Sequence, residues 1–123
     1  MVHNSCYRIL AAAVNQSTGR ANCLAAGGRL ALVSTAEEMS ALQAYILLQG
    51  VVEMWMWVDG TDAVTEAVWL TDSGDVMSYT GFTGNEPNGG VGENCIAILK
   101  MDINFNVVDY PCGINVNYSL CEF

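Results

Sequence analysis

The sequence predicts an α+β domain, two helices flanking small antiparallel sheets, on three observations: helix signals fill the first half, strand signals dominate the second, and a long irregular stretch interrupts the strands. In the first helix, Ser17 is placed to cap a segment running through Ala26, which Gly27-Gly28 ends; Gly19 weakens the first turn. The second helix carries a clearer signature. Thr35 followed by Glu38 is a capping box, after which Met39, Leu42 and Ile46 recur on one face until Gly50 closes the segment.

Strand propensity marks Cys6 to Leu10, Leu30 to Val33, Trp55 to Val58, Ala67 to Leu70, Cys95 to Leu99, Asn106 to Asp109 and Tyr118 to Phe123. Between Thr71 and Glu93 periodicity disappears and Gly, Asn, Asp, Ser and Thr accumulate. A connection of that length in a compact domain is functional or disordered, and the strand signals on both flanks, with Cys95 closing the far end, favour an ordered functional loop.

A chain of 123 residues, 52% of them hydrophobic, fits one domain over 1–123 with a real core and leaves no room for a second. Apolar stretches such as Ile9 to Val14 fall far short of the roughly 20 residues that cross a bilayer, and lack the basic leader and length of a signal-peptide core. Met1 is therefore either native or added to a mature chain. Thirteen acidic residues against four basic ones give a formal charge of −9, which repels phosphate backbones and anionic lipid and excludes nucleic acid and membrane as partners.

Five cysteines without a C-x-x-C pair, beside the single His3, speak for disulfides over zinc, and so for an oxidising, extracellular compartment. The sequons Asn15-Gln16-Ser17 and Asn117-Tyr118-Ser119 agree with secretion, although such triplets also arise by chance. An odd count leaves one thiol over, and the residues alone leave the pairing open.

From about Cys6 to Phe123 the chain resembles the C-type lectin domain. The resemblance rests on Ser5-Cys6-Tyr7; Cys23 followed by Gly27-Gly28 and Leu30; Glu37-Glu38; Trp57-Val58-Asp59-Gly60; and then Asp62, Glu66 and Trp69. It continues through Glu86-Pro87-Asn88, Glu93-Asn94-Cys95, Asp109 three residues before Cys112, and Cys121-Glu122-Phe123. Each piece is weak alone; their order and spacing together are specific. The resemblance implies a C-type lectin-like fold with a long irregular binding loop, the pairs Cys23 with Cys121 and Cys95 with Cys112, and Cys6 left to bridge two copies.

It also implies a sugar site in which calcium takes two vicinal hydroxyls while its ligands hydrogen-bond the same hydroxyls. Glu86, Asn88 and Glu93 would supply ligands from the loop and Asp109 from the strand before Cys112, suiting a cation that needs six to eight oxygens. Where the family has Trp-Asn-Asp, this chain has Val107-Val108-Asp109, so an amide ligand is missing and calcium dependence should be weakened or lost. The family's second calcium site is reduced to Asp62 and Glu66 with Glu93 shared, its other acidic positions being Gly89 and Asn94. The Glu-Pro-Asn order implies mannose-type sugars; a calcium-free site would favour an N-acetylated hexose, whose acetamide offers a donor, an acceptor and a methyl group. Tyr79, Phe82 and Tyr110 are candidate stacking surfaces.

The function expected is therefore carbohydrate binding without catalysis, in a disulfide-linked dimer through Cys6 whose role among soluble lectins is innate recognition of microbial glycans. The alternative is a domain of the same fold that has lost sugar binding and takes a protein partner, which Val108 favours. A glycosidase using two clustered acids is a third reading, weakened by the absence of a visible nucleophile and base, with His3 near a terminus.

Overall fold

The computed structural model describes residues 6–33, 35–62, 68–71, 73–77 and 94–123. Elements follow in the order β1 (Tyr7–Val14), α1 (Gln16–Ala25), β2 (Arg29–Leu30), α2 (Ala36–Leu47), β3 (Glu53–Thr61), β4 (Cys95–Met101), β5 (Asn104–Tyr110) and β6 (Val116–Glu122). The strands make one sheet in the order β1-β6-β3-β4-β5, with β2 pairing β6 off that path. The expected small antiparallel sheets are thus joined into one mixed sheet. The joint is a short parallel contact between β3 and β6, where Met56 faces Tyr118 and Trp57 faces Ser119.

Alternation along the strands sends side chains to two cores, one on each face of the sheet. Met54, Met56 and Val58 of β3, Ile96 and Ile98 of β4, Val107 of β5 and Leu120 of β6 meet Met39, Leu42 and Ile46 of α2. Their neighbours Trp57, Ala97 and Cys121 turn the other way, onto Cys23 of α1 and Val116. The helical stripe read from the sequence in α2 is the buried one, and Thr35 caps that helix by accepting from the Glu38 N–H at 3.1 Å.

The cap of α1 differs from expectation. Asn15, not Ser17, is the N-cap, its Oδ1 accepting from the Thr18 N–H at 3.0 Å, so Asn15 has a structural task independent of its sequon. Gly19, a weak point by propensity, is buried in α1 because the helix lies close against the sheet there. A Cβ at that position would come within 2.5 Å of Ser119 Oγ and 3.4 Å of Trp57. Of the strand expected over 67–70, Leu70 makes only isolated bridges to Thr61 and Val76, and Ala67 lies outside the described residues. The other strands run one to five residues longer or shorter than propensity suggested, the usual error when pairing, not local preference, sets the ends.

Two disulfides, Cys23–Cys121 and Cys95–Cys112, span 98 and 17 residues of chain. The first ties α1 to β6 within the second core, and the second ties the start of β4 to the segment after β5. Loop-closure entropy grows with the logarithm of the loop, so the long bridge should stabilise by about 1.5 kcal/mol more than the short one. Denaturant midpoints of the Cys23→Ala/Cys121→Ala and Cys95→Ala/Cys112→Ala double variants measure that ordering, which equal losses would contradict.

Candidate functional site

The end of the sheet from which the long irregular stretch departs is built by β3, β4 and β5. Thr61, the last residue of β3, is in register with Cys95, and Cys95 with Tyr110, so Asp62, Asn94 and Asp109 come to the same end of three adjacent strands. Asp62 donates its backbone N–H to the Asn94 carbonyl at 3.1 Å, continuing the β3–β4 contact past the last ladder pair. Gly60 makes the approach to this end possible. It has φ 134° beside an irregularity between Val58 and Thr61, and a Cβ there would lie 2.5 Å from Ile96 and 2.9 Å from Met77.

Asp62 and Asp109 are each only 2% exposed, despite the acidic surface available to the rest of the chain. Such burial of carboxylates is expensive without compensating partners, and each engages in further polar interactions. Asp109 shares its face of β5 with Val107 of the first core. Val108 turns to the opposite side and packs, half-buried, against the cluster containing Trp57, Cys95 and Ala97.

Of the residues expected to hold sugar or calcium, Glu86, Asn88 and Glu93 lie outside the described residues, as do Glu66, Gly89, Tyr79 and Phe82. Asp109 and Asp62 are described and share the loop end of the sheet. Tyr110, a candidate stacking surface, is already engaged: its ring lies 5.1 Å from that of Trp55 and 6.1 Å from that of Trp57, edge-on to the latter. Among the described residues no group of three or more His, Cys, Asp or Glu is placed to hold a metal ion. Among the described residues the candidate donors are two buried carboxylates, Asp62 just past β3 and Asp109 on β5, with an apolar side chain at position 108 where an amide would add an oxygen.

Asp59, which the motif reading named within the core strand without a role of its own, is 4% exposed near the end of β3. With Arg29, Leu30, Leu32, Thr71 and Ser73 it lines a pocket of about 90 Å³. Its signal in the sequence was an acid inside a run of apolar and aromatic residues, which is informative because buried acids are rare.

Comparison with known proteins agrees with this architecture. The family model described as "Lectin C-type domain" matches residues 12–123, and the chain belongs to that family. Human C-type lectin domain family 3 member A is 29% identical over 99% of this chain and 61% of its own length, so the chain spans about three-fifths of that relative. Among solved structures, the SPL-1–GlcNAc complex superposes with a TM-score of 0.82 at 21% identity, covering 100% of this chain and 90% of that one. The cow CD23 carbohydrate-recognition domain, solved in the presence of a GlcNAc2Man3 oligosaccharide, does so at 0.78 and 22%, covering 99% and 89%. At these identities the structural likeness concerns the fold. No helix among the described residues is long and apolar enough to cross a membrane.

Val108→Asn exchanges apolar packing beside the Trp57 cluster for an amide that must find new partners. The substitution is expected to lower stability by about 1 to 2 kcal/mol in the absence of metal, read as a shift in the urea midpoint at unchanged m-value.

Proposed function

We propose that the chain is a secreted carbohydrate-binding lectin that recognises simple sugars, of mannose type or N-acetylhexosamine, through Glu86, Asn88, Glu93 and Asp109, with calcium dependence weakened or lost. The observation that carries the reading is the gathering of Asp62, Asn94 and Asp109 at one end of β3, β4 and β5; in the sequence Glu86-Pro87-Asn88 lies between Thr61 and Cys95, which are paired at that end. Support for the sugar class comes from the two relatives of the same fold solved with GlcNAc or a GlcNAc-containing oligosaccharide. Calcium, when bound at such a site, supplies coordination to sugar hydroxyls. The chain's own carboxylates and amides would orient those hydroxyls by accepting and donating hydrogen bonds. The reading is one of binding and not catalysis, in keeping with a lectin family.

Val108, packed against an apolar cluster, supports the second reading, a domain that binds a protein partner in place of sugar. A glycan array run with calcium and again with chelator separates the two. Under the first reading, sugar is retained in substantial part in chelator, and Glu86→Ala or Asn88→Ala abolishes it with the circular dichroism spectrum unchanged. Binding that survives in both variants would move the site elsewhere. Complete dependence on micromolar calcium would mean that another ligand replaces the missing amide.

Cys6 is the free cysteine and is exposed, in contrast to the alternative of a buried apolar thiol in the first strand. Exposure in an oxidising compartment supports the reading that Cys6 bridges two copies, which would let weak sites act together. Non-reducing electrophoresis should then show a dimer that Cys6→Ser abolishes; a monomer with one titratable thiol per chain would exclude the covalent link.

A further inference from the structure

At the opposite end of the sheet from the long loop, the chain exposes a cluster of apolar side chains. Leu48 is 83% exposed, Ile103 73% and Val52 69%, with Leu47 and Met101 also in contact with solvent. They come from three places: the end of α2, the segment entering β3, and the β4–β5 hairpin. Glu53 is in register with Met101, and Met101 with Asn104, which brings these places together. A pocket of about 210 Å³ lies between them, lined by Leu47, Gly50, Val51, Val52, Lys100, Asp102 and Ile103.

The patch is held in shape by polar groups. Lys100, only 4% exposed, donates from its ammonium to the carbonyls of Val51 and Val52, pinning the α2–β3 segment against β4. Asp102, at φ 56° in the two-residue hairpin turn, donates its N–H to the Val52 carbonyl at 2.8 Å. A non-glycine residue in the left-handed region is held by its surroundings, and here it presents the β-branched Ile103 to solvent at a turn where polar residues are usual. The loop is therefore anchored while its apolar side chains stay outside.

We propose that this pole is a self-association surface on which a second copy of the chain docks non-covalently. Together the five side chains expose on the order of 600 Å², the upper end of the largest apolar patch on an ordinary monomer. Two such patches meeting face to face would bury roughly 1,200 Å², the lower bound for a specific stable interface. Charge argues against an anionic lipid as the occupant: among the described residues the only cation at the patch is the buried Lys100. Arg8 lies over the Phe123 ring, Arg20 bonds Gln16 in α1, and Arg29 faces Glu122. Two chains of charge −9 repel one another, so an apolar contact between them should strengthen as salt screens that repulsion.

The proposal rests on neither the sugar reading nor Cys6. Sedimentation equilibrium of the full chain carrying Cys6→Ser, at up to about 100 μM and without sugar, should give twice the chain mass, with the dimer fraction rising with sodium chloride. Leu48→Glu/Ile103→Glu, both at exposed positions, should return the mass to that of one chain while leaving circular dichroism and glycan-array binding unchanged. The single variant Val52→Lys should do the same. A Cys6→Ser chain that stays monomeric over this range would overturn the proposal, as would a dimer that survives the double variant. Monomers whose tryptophan emission shifts on addition of phosphatidylcholine vesicles, with Leu48→Glu/Ile103→Glu abolishing the shift, would also overturn it, assigning the patch to a lipid surface.

Discussion

The fold depends on what happens to β6. This last strand is flanked by β1, the first, on one side and by β3 on the other, and it also takes β2 at Arg29 and Leu30. Until β6 is in place, β1 and β3 share no backbone ladder and the sheet is two separate pieces. The parallel contact with β3 is only two residue pairs long. Its strength comes from what surrounds it: Leu120 in one core, Cys121 in the other, the disulfide to α1, and Trp57, whose Nε1 donates to the Val14 carbonyl at 2.8 Å. Burying both faces of one strand makes each core depend on the other.

How well the sequence foretold this follows from which forces are local. The stripe of Met39, Leu42 and Ile46 and the cap at Thr35 depend on residues three or four positions apart, and both were legible. The α1 cap was misassigned because Asn15 and Ser17 are both good caps, and the choice depends on where β1 releases the chain. Gly19 was read as a weakness, since its reason, contact with Ser119 across 100 residues of sequence, is tertiary. The parallel joint between β3 and β6 could not be foreseen from alternation, which is the same for parallel and antiparallel neighbours.

The candidate site divides along the same line. The convergence of Asp62 and Asp109 follows from register between strands, and the motif reading named both without geometry. The pocket beside Asp59 was missed because its lining residues come from distant parts of the chain, Arg29, Leu30 and Leu32 on one side and Thr71 and Ser73 on the other. Tyr110 was named as one candidate surface for sugar, with packing as the other reading, and its ring lies against those of Trp55 and Trp57.

The termini have a mechanical consequence. The Phe123 N–H donates to the Cys6 carbonyl at 2.8 Å, and Arg8 sits 5.1 Å above the Phe123 ring, so the chain enters and leaves the sheet at one point. A pull applied at these two ends would open β1 from β6 one bond at a time, a geometry with little resistance. Peeling would then reach Cys23 and Cys121, where the covalent bridge carries the tension directly. Everything between those residues, including both helix-covered cores and the whole long loop, is shielded from the load. A molecule tethered through its ends could therefore be stretched without its loop end being deformed.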